Sequence, residues 1–348
     1  MGGIQKSLLN LLAGMADDPI QIDLFLFDTR IFYETAFPKN VTVHFLKPFP
    51  HAYRVLDFSL VRKLAGKLGI DDSVVYDAAV DFNSFQHECA VGALSVNAKK
   101  RIMWIHNDPE QTRKHEPKYR LLWHCFKSKL KEYDAFAAVS QGSADAFRRL
   151  SGIREKPIAI IPNLIDTAEI FRRSEEPVDF EPDPACVNYC TVGRLCHAKG
   201  IDLLLPAFAE AAKRRADLRL YIVGDGEDRP KLEKIIRRNQ LGEKVRILGY
   251  QPNPFPYIKK MDGLVLNSRY EGQGMVLWEA KALGLPVLIP KRLEQYNEGI
   301  SGTEDIIEAF CAARKAEKQP DTLDWYNARS LERVRALLQA SDTKREDL

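Results

Sequence analysis

Short β-rich runs alternate with stretches of helical period along almost the whole chain, and this alternation confines it to an α/β fold built on parallel sheets. Parallel neighbours need a crossover between them, and a helix is the usual one. The first series reads as a helix over 4–15, strands at Ile22–Asp28 and Val41–Leu46, a helix at Phe58–Leu68, and strands at Ser73–Val80 and Lys100–His106. It continues with a helix around Leu121–Lys131, the strand Ala135–Ser140, a helix near Ser143–Arg149 and the strand Ile158–Ile161. Residues 166–186 then turn acidic, and Pro177, Pro182 and Pro184 break any period, so this stretch reads as the interdomain linker. A second series runs through Val187–Gly193, Leu203–Arg214, Leu218–Val223, Arg229–Asn239, Val245–Leu248, Gly263–Leu266, Met275–Leu283 and Pro286–Ile289. With 348 residues, two domains of roughly 150 each are the natural expectation. The boundaries fall at 1–165 and 166–322. Residues 323–348 form a last amphipathic helix, Leu323–Leu338, expected to cross back to the first domain, and a frayed tail.

In doubly wound sheets ligands sit outside the carboxyl ends of the strands, and that is where the chemically loaded residues fall. The strand Gly263–Leu266 feeds Glu271-Gly272-Gln273-Gly274 and then the apolar run Met275 to Ala280, which carries Glu279. A loop of small residues opening a helix offers free backbone N–H groups to anions. Glu271 belongs to the loop, whereas Glu279 lies one to two turns into the helix, so the two carboxylates meet different hydroxyl-rich groups. Upstream, Gly193-Arg194 and Lys199-Gly200 put two cations at another strand end, where they can neutralise a diphosphate. Two acids for hydroxyls and two bases for phosphates suit a nucleotide-sugar.

Other classes are disfavoured. A net charge of +3 is too mild to argue for nucleic acid. Basic residues are denser in the first half, at Lys99-Lys100-Arg101, Lys127, Lys129, Lys131 and Arg148-Arg149; these are either solvated helix faces or a surface for anionic lipid headgroups. No stretch is long and apolar enough to span a bilayer, and no secretory leader is recognised, so a soluble intracellular protein is expected. The six cysteines lack paired spacing, and Cys186, Cys190, Cys196 and His197 fit no zinc pattern, which leaves buried thiols and no metal site. In Gly224-Asp225-Gly226 an arginine, Arg229, stands where a third glycine would complete a dinucleotide fingerprint, which argues against NAD.

Taken in order, Val192-Gly193-Arg194-Leu195, Lys199-Gly200, Val223-Gly224-Asp225-Gly226, Leu248-Gly249-Tyr250, Ser268 to Glu271-Gly272, Glu279-Ala280 and Gly284-Leu285-Pro286-Val287 make the second half resemble family 4 glycosyltransferases. The first half adds Gly2-Gly3 leading a helix, Trp104-Ile105-His106-Asn107-Asp108, Val139-Ser140 and Ile161-Pro162-Asn163, so the resemblance covers nearly the whole chain. It implies the GT-B architecture of two facing Rossmann-like domains with a cleft between them, a donor bound by the second, retention of anomeric configuration and no cofactor. It further implies that Arg194 and Lys199 hold the donor diphosphate, Glu279 takes the ribose hydroxyls and Glu271 accepts from the donor sugar. Backbone amides from Gly274 through Met275 to Val276, beside Gly272, cradle sugar and phosphate oxygens. His106 contacts the sugar near the reacting carbon, Tyr250 borders the base, and Gly3 and Gly224 complete the donor set.

The implied reaction is transfer from a nucleotide-sugar to a glycan, lipid-linked or cell-envelope acceptor by a cytoplasmic protein peripheral to the inner face of the membrane. Preorganised cations and helix N–H groups stabilise charge on a leaving phosphate, which can itself take the acceptor proton; a carboxylate nucleophile is the rival mechanism. The chain has no Asp-x-Asp, so no metal clamp is suggested. Two departures stand out. No strand precedes the Gly2-Gly3 loop, which points either to an alternative start or to an adapted fold. After Val287 the usual glycine-rich segment is replaced by Pro290-Lys291-Arg292-Leu293-Glu294-Gln295-Tyr296. A non-catalytic nucleotide-binding protein is the alternative reading.

Overall fold

A computed structural model describes residues 3–27, 36–47, 49–50, 53, 56–65, 70, 73–83, 86–315 and 317–339. The chain divides into two compact units, Met1–Leu164 with Trp325–Leu348, and Ile165–Asp324.

The first unit contains α1 (Gly3–Gly14), β1 (Ile22–Leu26), β2 (Val41–Phe45), α2 (Phe58–Ala65), β3 (Val75–Asp81), α3 (His87–Ser95) and β4 (Asn97–Ile105). After these come α4 (Pro109–His115), α5 (Pro117–Phe126), β5 (Ala135–Ala138), α6 (Gln141–Ser151) and β6 (Ile158–Ile160). Strands β3 to β6 form a parallel sheet in sequence order. Because side chains alternate across a strand, β4 serves two cores. Ile102 and Trp104 pack with Leu11 of α1 and Met15 just after it, whereas Met103 and Ile105 pack with Val91 and Leu94 of α3 and Phe147 of α6. Helix ends carry local stop and start signals: Ser140 caps α6 through the Ser143 N–H at 3.2 Å, and Gly152 closes it at φ 74°. Strands β1 and β2 pair in parallel as a separate ladder. Between that ladder and β3 the described residues make side-chain contacts, the Tyr76 hydroxyl on Asp23 Oδ2 at 2.9 Å and the Phe25 and Tyr76 rings edge to face.

The second unit comprises α7 (Thr167–Ser174), β7 (Val187–Val192), α8 (Ile201–Arg214), β8 (Leu218–Val223), α9 (Arg229–Arg238), β9 (Val245–Gly249), α10 (Phe255–Lys259), β10 (Gly263–Val265), α11 (Met275–Ala282), β11 (Val287–Leu288) and α12 (Ile306–Ala312). Its five strands are parallel in the order β11-β10-β7-β8-β9. The chain winds outward from β7 through β8 to β9, then returns to the other side of β7 as β10. Their carboxyl ends thus flank the topological switch point. Buried Leu204, Leu205 and Phe208 of α8 lie in one core with Leu218, Leu220 and Ile222 of β8.

Several sequence expectations are corrected. Residues 166–186 are no linker: Asp166 caps α7 through the Glu169 N–H at 2.9 Å, and buried Phe180 packs edge to face on Tyr221. The prolines do end the helix, but the segment is part of the second unit. Helix α3 was missed because its period is weak and both faces are largely buried. Leu121–Lys131 divides into α5 and a 3₁₀ turn at Lys127–Glu132. The last helix, α13 (Asp324–Gln339), packs within the first unit, where Val334 and Leu337 join the core of α1. Arg335 pairs with Asp18 at 2.6 Å, and Lys100 donates to the Leu337 carbonyl at 2.6 Å. Gly2, Asp28, residues 66–68 of the expected helix and the tail from Ser341 lie outside the described residues.

Candidate functional site

In the second unit the switch point is framed by the loop after β7, residues 193–200, and the loop after β10, residues 266–274. Arg194 is exposed and makes no ion pair among the described residues. Lys199 ends a short 3₁₀ turn, and its ammonium lies 2.7 Å from Glu271 Oε1, which also accepts the Ser268 hydroxyl at 2.6 Å. Two residues expected to bind different parts of a ligand are thus bonded to each other. The loops are stitched together around them. Gly200 sits at φ 61°, and a Cβ there would strike the Asn267 carbonyl. The Arg269 N–H reaches the Ala198 carbonyl at 2.8 Å, and its guanidinium grips Asp202 at 2.7 and 3.0 Å. Burial opposes ionisation of Asp202, yet hydrogen bonds from Arg269 and Lys231 outweigh it and hold the carboxyl well below the usual range.

Glu279 lies on α11 at 9% exposure, a carboxylate largely withdrawn from bulk water. One expectation about the neighbouring amides is corrected. The Gly274 N–H is capped by the buried Asn297 side chain at 2.9 Å, and the Met275 N–H turns back to Gln273 at 3.0 Å, so two of the three cradle amides, with Val276 the third, are engaged inside the protein. Gly272 is buried in that loop. Gly224 has an internal reason to be glycine: at φ 146° a Cβ would run into the Gly193 carbonyl, where the loops after β7 and β8 cross. Tyr250 is 69% exposed at the end of β9.

Two residues were invisible to motif reading. Arg292 donates to the Asn267 carbonyl at 2.9 Å, its Oδ1 at 2.8 Å and the Ser268 carbonyl at 3.1 Å, bracing the loop that carries Glu271. Burial, then the nearby Arg269 charge, lowers its pKa. Asn297 fixes the start of α11. Both come from or directly follow the 3₁₀ turn Lys291–Tyr296, the segment whose sequence fits no motif. An asparagine 23 residues from the amide it caps leaves no periodic signal.

In the first unit His106 follows β4. Its Nε2 is buried without a partner among the described residues, and its ring lies against Phe82, centroids 4.5 Å apart. Burial pushes the imidazole pKa down to about 3, despite a hydrogen bond with the Phe82 backbone, so the ring is neutral at ordinary pH. Gly3 opens α1, with nothing near an added Cβ. Cys190 is fully buried and its thiol is pushed up to about 12 by that burial, an inert group. All six cysteines are free thiols, and no cluster of metal-ligating side chains occurs among the described residues. No described helix is long and apolar enough to cross a membrane.

A parallel sheet with paired cations and carboxylates at its switch point belongs to the class of nucleotide-binding α/β proteins. Comparison with known proteins narrows the class. The profile of "Glycosyltransferase Family 4" matches residues 1–169, and that of "Glycosyl transferases group 1" matches residues 187–300. The chain is 27% identical over 198 residues to an uncharacterized glycosyltransferase of Methanocaldococcus jannaschii, a match covering 55% of this chain and 48% of the relative. It is 26% identical over 297 residues to the N-acetylgalactosamine-N,N'-diacetylbacillosaminyl-diphospho-undecaprenol 4-alpha-N-acetylgalactosaminyltransferase of Campylobacter jejuni, covering 82% and 77%. Among solved structures, Anabaena HepE in complex with UDP and glucose superposes with a TM-score of 0.62 at 17% identity, over 95% of this chain and 92% of that one. The chain spans about half the length of the first curated relatives it matches, 48% and 43%. It belongs to the family 4, group 1 glycosyltransferases, and its fold is of the GT-B type.

Proposed function

We propose that this protein is a retaining glycosyltransferase that moves a sugar from a nucleotide diphosphate donor to a hydroxyl of a glycan or lipid-linked acceptor. The observation that carries the reading is the Lys199–Glu271 pair at the switch point of the second unit, with Arg194 in the same loop as Lys199 and Glu279 on the helix that follows Glu271. Arg194 makes no ion pair among the described residues, which leaves its charge available to a phosphate. Glu279 suits the ribose hydroxyls, and Glu271 with Lys199 lies between the sugar and phosphate ends. In the reaction the bond from the anomeric carbon to the phosphate oxygen breaks, and a bond to the acceptor oxygen forms on the same face. The acceptor proton passes to the leaving phosphate, whose growing charge Arg194 and Lys199 stabilise. His106, neutral and with an Nε2 that finds no partner among the described residues, offers a hydrogen-bond acceptor rather than a charged acid.

UDP-sugars are the first donors to test, since UDP occupies the HepE structure, and an undecaprenyl-linked saccharide the first acceptor, by analogy with the Campylobacter relative. Work at the inner membrane face is supported by α4, α5 and the start of the 3₁₀ turn after them, which expose Lys114, Lys118, Arg120, Lys127 and the apolar Leu121. Calorimetric titration with UDP, GDP, ADP and NAD tests the donor site. Tight binding of one nucleoside diphosphate is expected, and binding of NAD alone would overturn the reading. The separate β1–β2 ladder favours a second reading, a nucleotide-binding protein without turnover. Binding of a nucleotide-sugar without its hydrolysis or transfer, across an acceptor panel, would select it.

A further inference from the structure

Arg269 stands two residues before Glu271, and both terminal nitrogens of its guanidinium are committed to the loop that bears Lys199 and the helix after it. Nη1 donates to Asp202 Oδ1 at 2.7 Å and to the His197 carbonyl at 2.8 Å, and Nη2 donates to Asp202 Oδ2 at 3.0 Å. The backbone N–H of the same residue donates to the Ala198 carbonyl at 2.8 Å. One arginine thus holds residues 197, 198 and 202, which flank Lys199 on both sides. Asp202 lies in the first turn of α8 and is itself steadied by the Lys231 ammonium of α9 at 2.6 Å. From another direction Arg292 holds the Asn267 and Ser268 carbonyls, so the loop after β10 is braced by two arginines. Between these braces Glu271 Oε1 accepts both the Ser268 hydroxyl and the Lys199 ammonium.

An ion pair that still touches solvent adds little net stability. A planar fork on a carboxylate does fix orientation, because two parallel N–H bonds form only in one geometry. Lys199, by contrast, is a point charge on a flexible stem, and where it rests depends on where the two loop backbones lie. We propose that Arg269 and Asp202 are positioning residues for Lys199: their bidentate pair, with the bonds to the His197 and Ala198 carbonyls, sets the loop after β7 against the loop after β10 and holds the Lys199 ammonium at Glu271 before any ligand arrives. Arg269 is on this account a brace whose charge is already matched, not a phosphate ligand. That the held ammonium then meets a donor diphosphate rests on the glycosyltransferase reading given above; the brace does not.

The test needs no substrate at first. An ammonium must lose its proton before it can be acylated, and a carboxylate 2.7 Å away holds that proton in place. The full chain, free of ligand, is treated briefly with an amine-acylating ester, and the label on each lysine is read by mass spectrometry. In Arg269→Met the Lys199 amine is expected to react about threefold faster or more than in the wild type, as the loop opens locally. Lys244, whose ammonium bonds the Ala212 carbonyl of α8 at 2.7 Å, is the reference and should keep its rate. An unchanged Lys199 rate overturns the proposal, and so does an equal rise at Lys244, which would make Arg269 a general stabiliser of the unit. Should Arg269→Met not fold, Asp202→Asn decides, because it keeps the shape of the brace and removes one charge: faster Lys199 labelling is expected, and the wild-type rate overturns the brace. Calorimetric titration with UDP then connects the brace to the ligand. Arg269→Met is expected to weaken UDP binding about fivefold in the wild-type background and less than about twofold in a Lys199→Met background. Equal weakening in both overturns the positioning role, since Arg269 would then meet the nucleotide itself. Faster Lys199 labelling with UDP binding absent, or unmoved by Lys199→Met, leaves the brace standing and counts against Lys199 in the donor reading.

Discussion

At the scale of single residues, the donor-free protein pairs Lys199 with Glu271, and a bound diphosphate would compete for that ammonium. A double-mutant cycle over Lys199→Met and Glu271→Gln, read by denaturant unfolding, is expected to give a coupling of about 0.5–1 kcal/mol in the free protein, since Lys199 is partly exposed. With nucleoside diphosphate present the coupling should shrink; an unchanged value would place the ligand elsewhere. Glu279→Ala is expected to weaken nucleotide binding by about 1.5–3 kcal/mol for each hydrogen bond lost to a charged group, and unaltered calorimetric affinity would remove Glu279 from the site. His106 carries a pH prediction. Its folded pKa of about 3 lies below the usual value near 6.5, so the unfolded chain binds the proton first. Its contribution to stability is present above pH 6.5 and is lost as pH falls toward 3. The His106 ring protons should therefore show no titration between pH 8 and 5, and a midpoint near 6.5 would contradict the burial of the ring.

At the scale of elements, the start of α11 depends on a residue from outside it. Asn297 is fully buried and serves two backbone groups, accepting the Gly274 N–H and donating to the Leu293 carbonyl at 2.9 Å each. Asn297→Ala orphans both, which should cost about 1–3 kcal/mol of stability and loosen the loop bearing Glu271. The expected signature is a lower Tm together with weaker nucleotide binding. A full loss of stability with intact affinity would make Asn297 a core residue only. Sequence periodicity placed most of these elements within a few residues, because strand and helix periods are local. It failed at α7, where a run of prolines and acids reads as a connector, although Asp166 and Glu169 are a legible capping signal.

At the scale of the whole molecule, the last helix belongs to the unit at the other end of the chain. Tyr326, Val334 and Leu337 of α13 are buried against the first unit, and the Tyr326 hydroxyl reaches the Asn163 carbonyl at 3.2 Å. Each large apolar side chain buried in this way is worth about 1.5–3 kcal/mol. Ending the chain at Asp324 should therefore lower the unfolding temperature of the first unit while leaving nucleotide binding by the second within a few-fold of the intact protein. Calorimetric scanning with and without nucleotide separates the two, and an unshifted first-unit transition would contradict the packing.

Fold class, the tandem pair of α/β units, the addresses of Arg194, Lys199, Glu271 and His106 after strand ends and that of Glu279 on a helix were all legible in the sequence, because each depends on local period, turn chemistry or motif spacing. What the sequence could not reveal arises from contacts between residues far apart along the chain. The Lys199–Glu271 ion pair spans 72 positions, and the bond from Lys129 to Asp81 spans 48. The capture of the Gly274 amide by Asn297 is likewise decided only once parallel strands have been brought side by side. Periodicity encodes which face of an element is buried; which partner covers that face, and whether a charged atom there is left free for a ligand, is settled by tertiary packing.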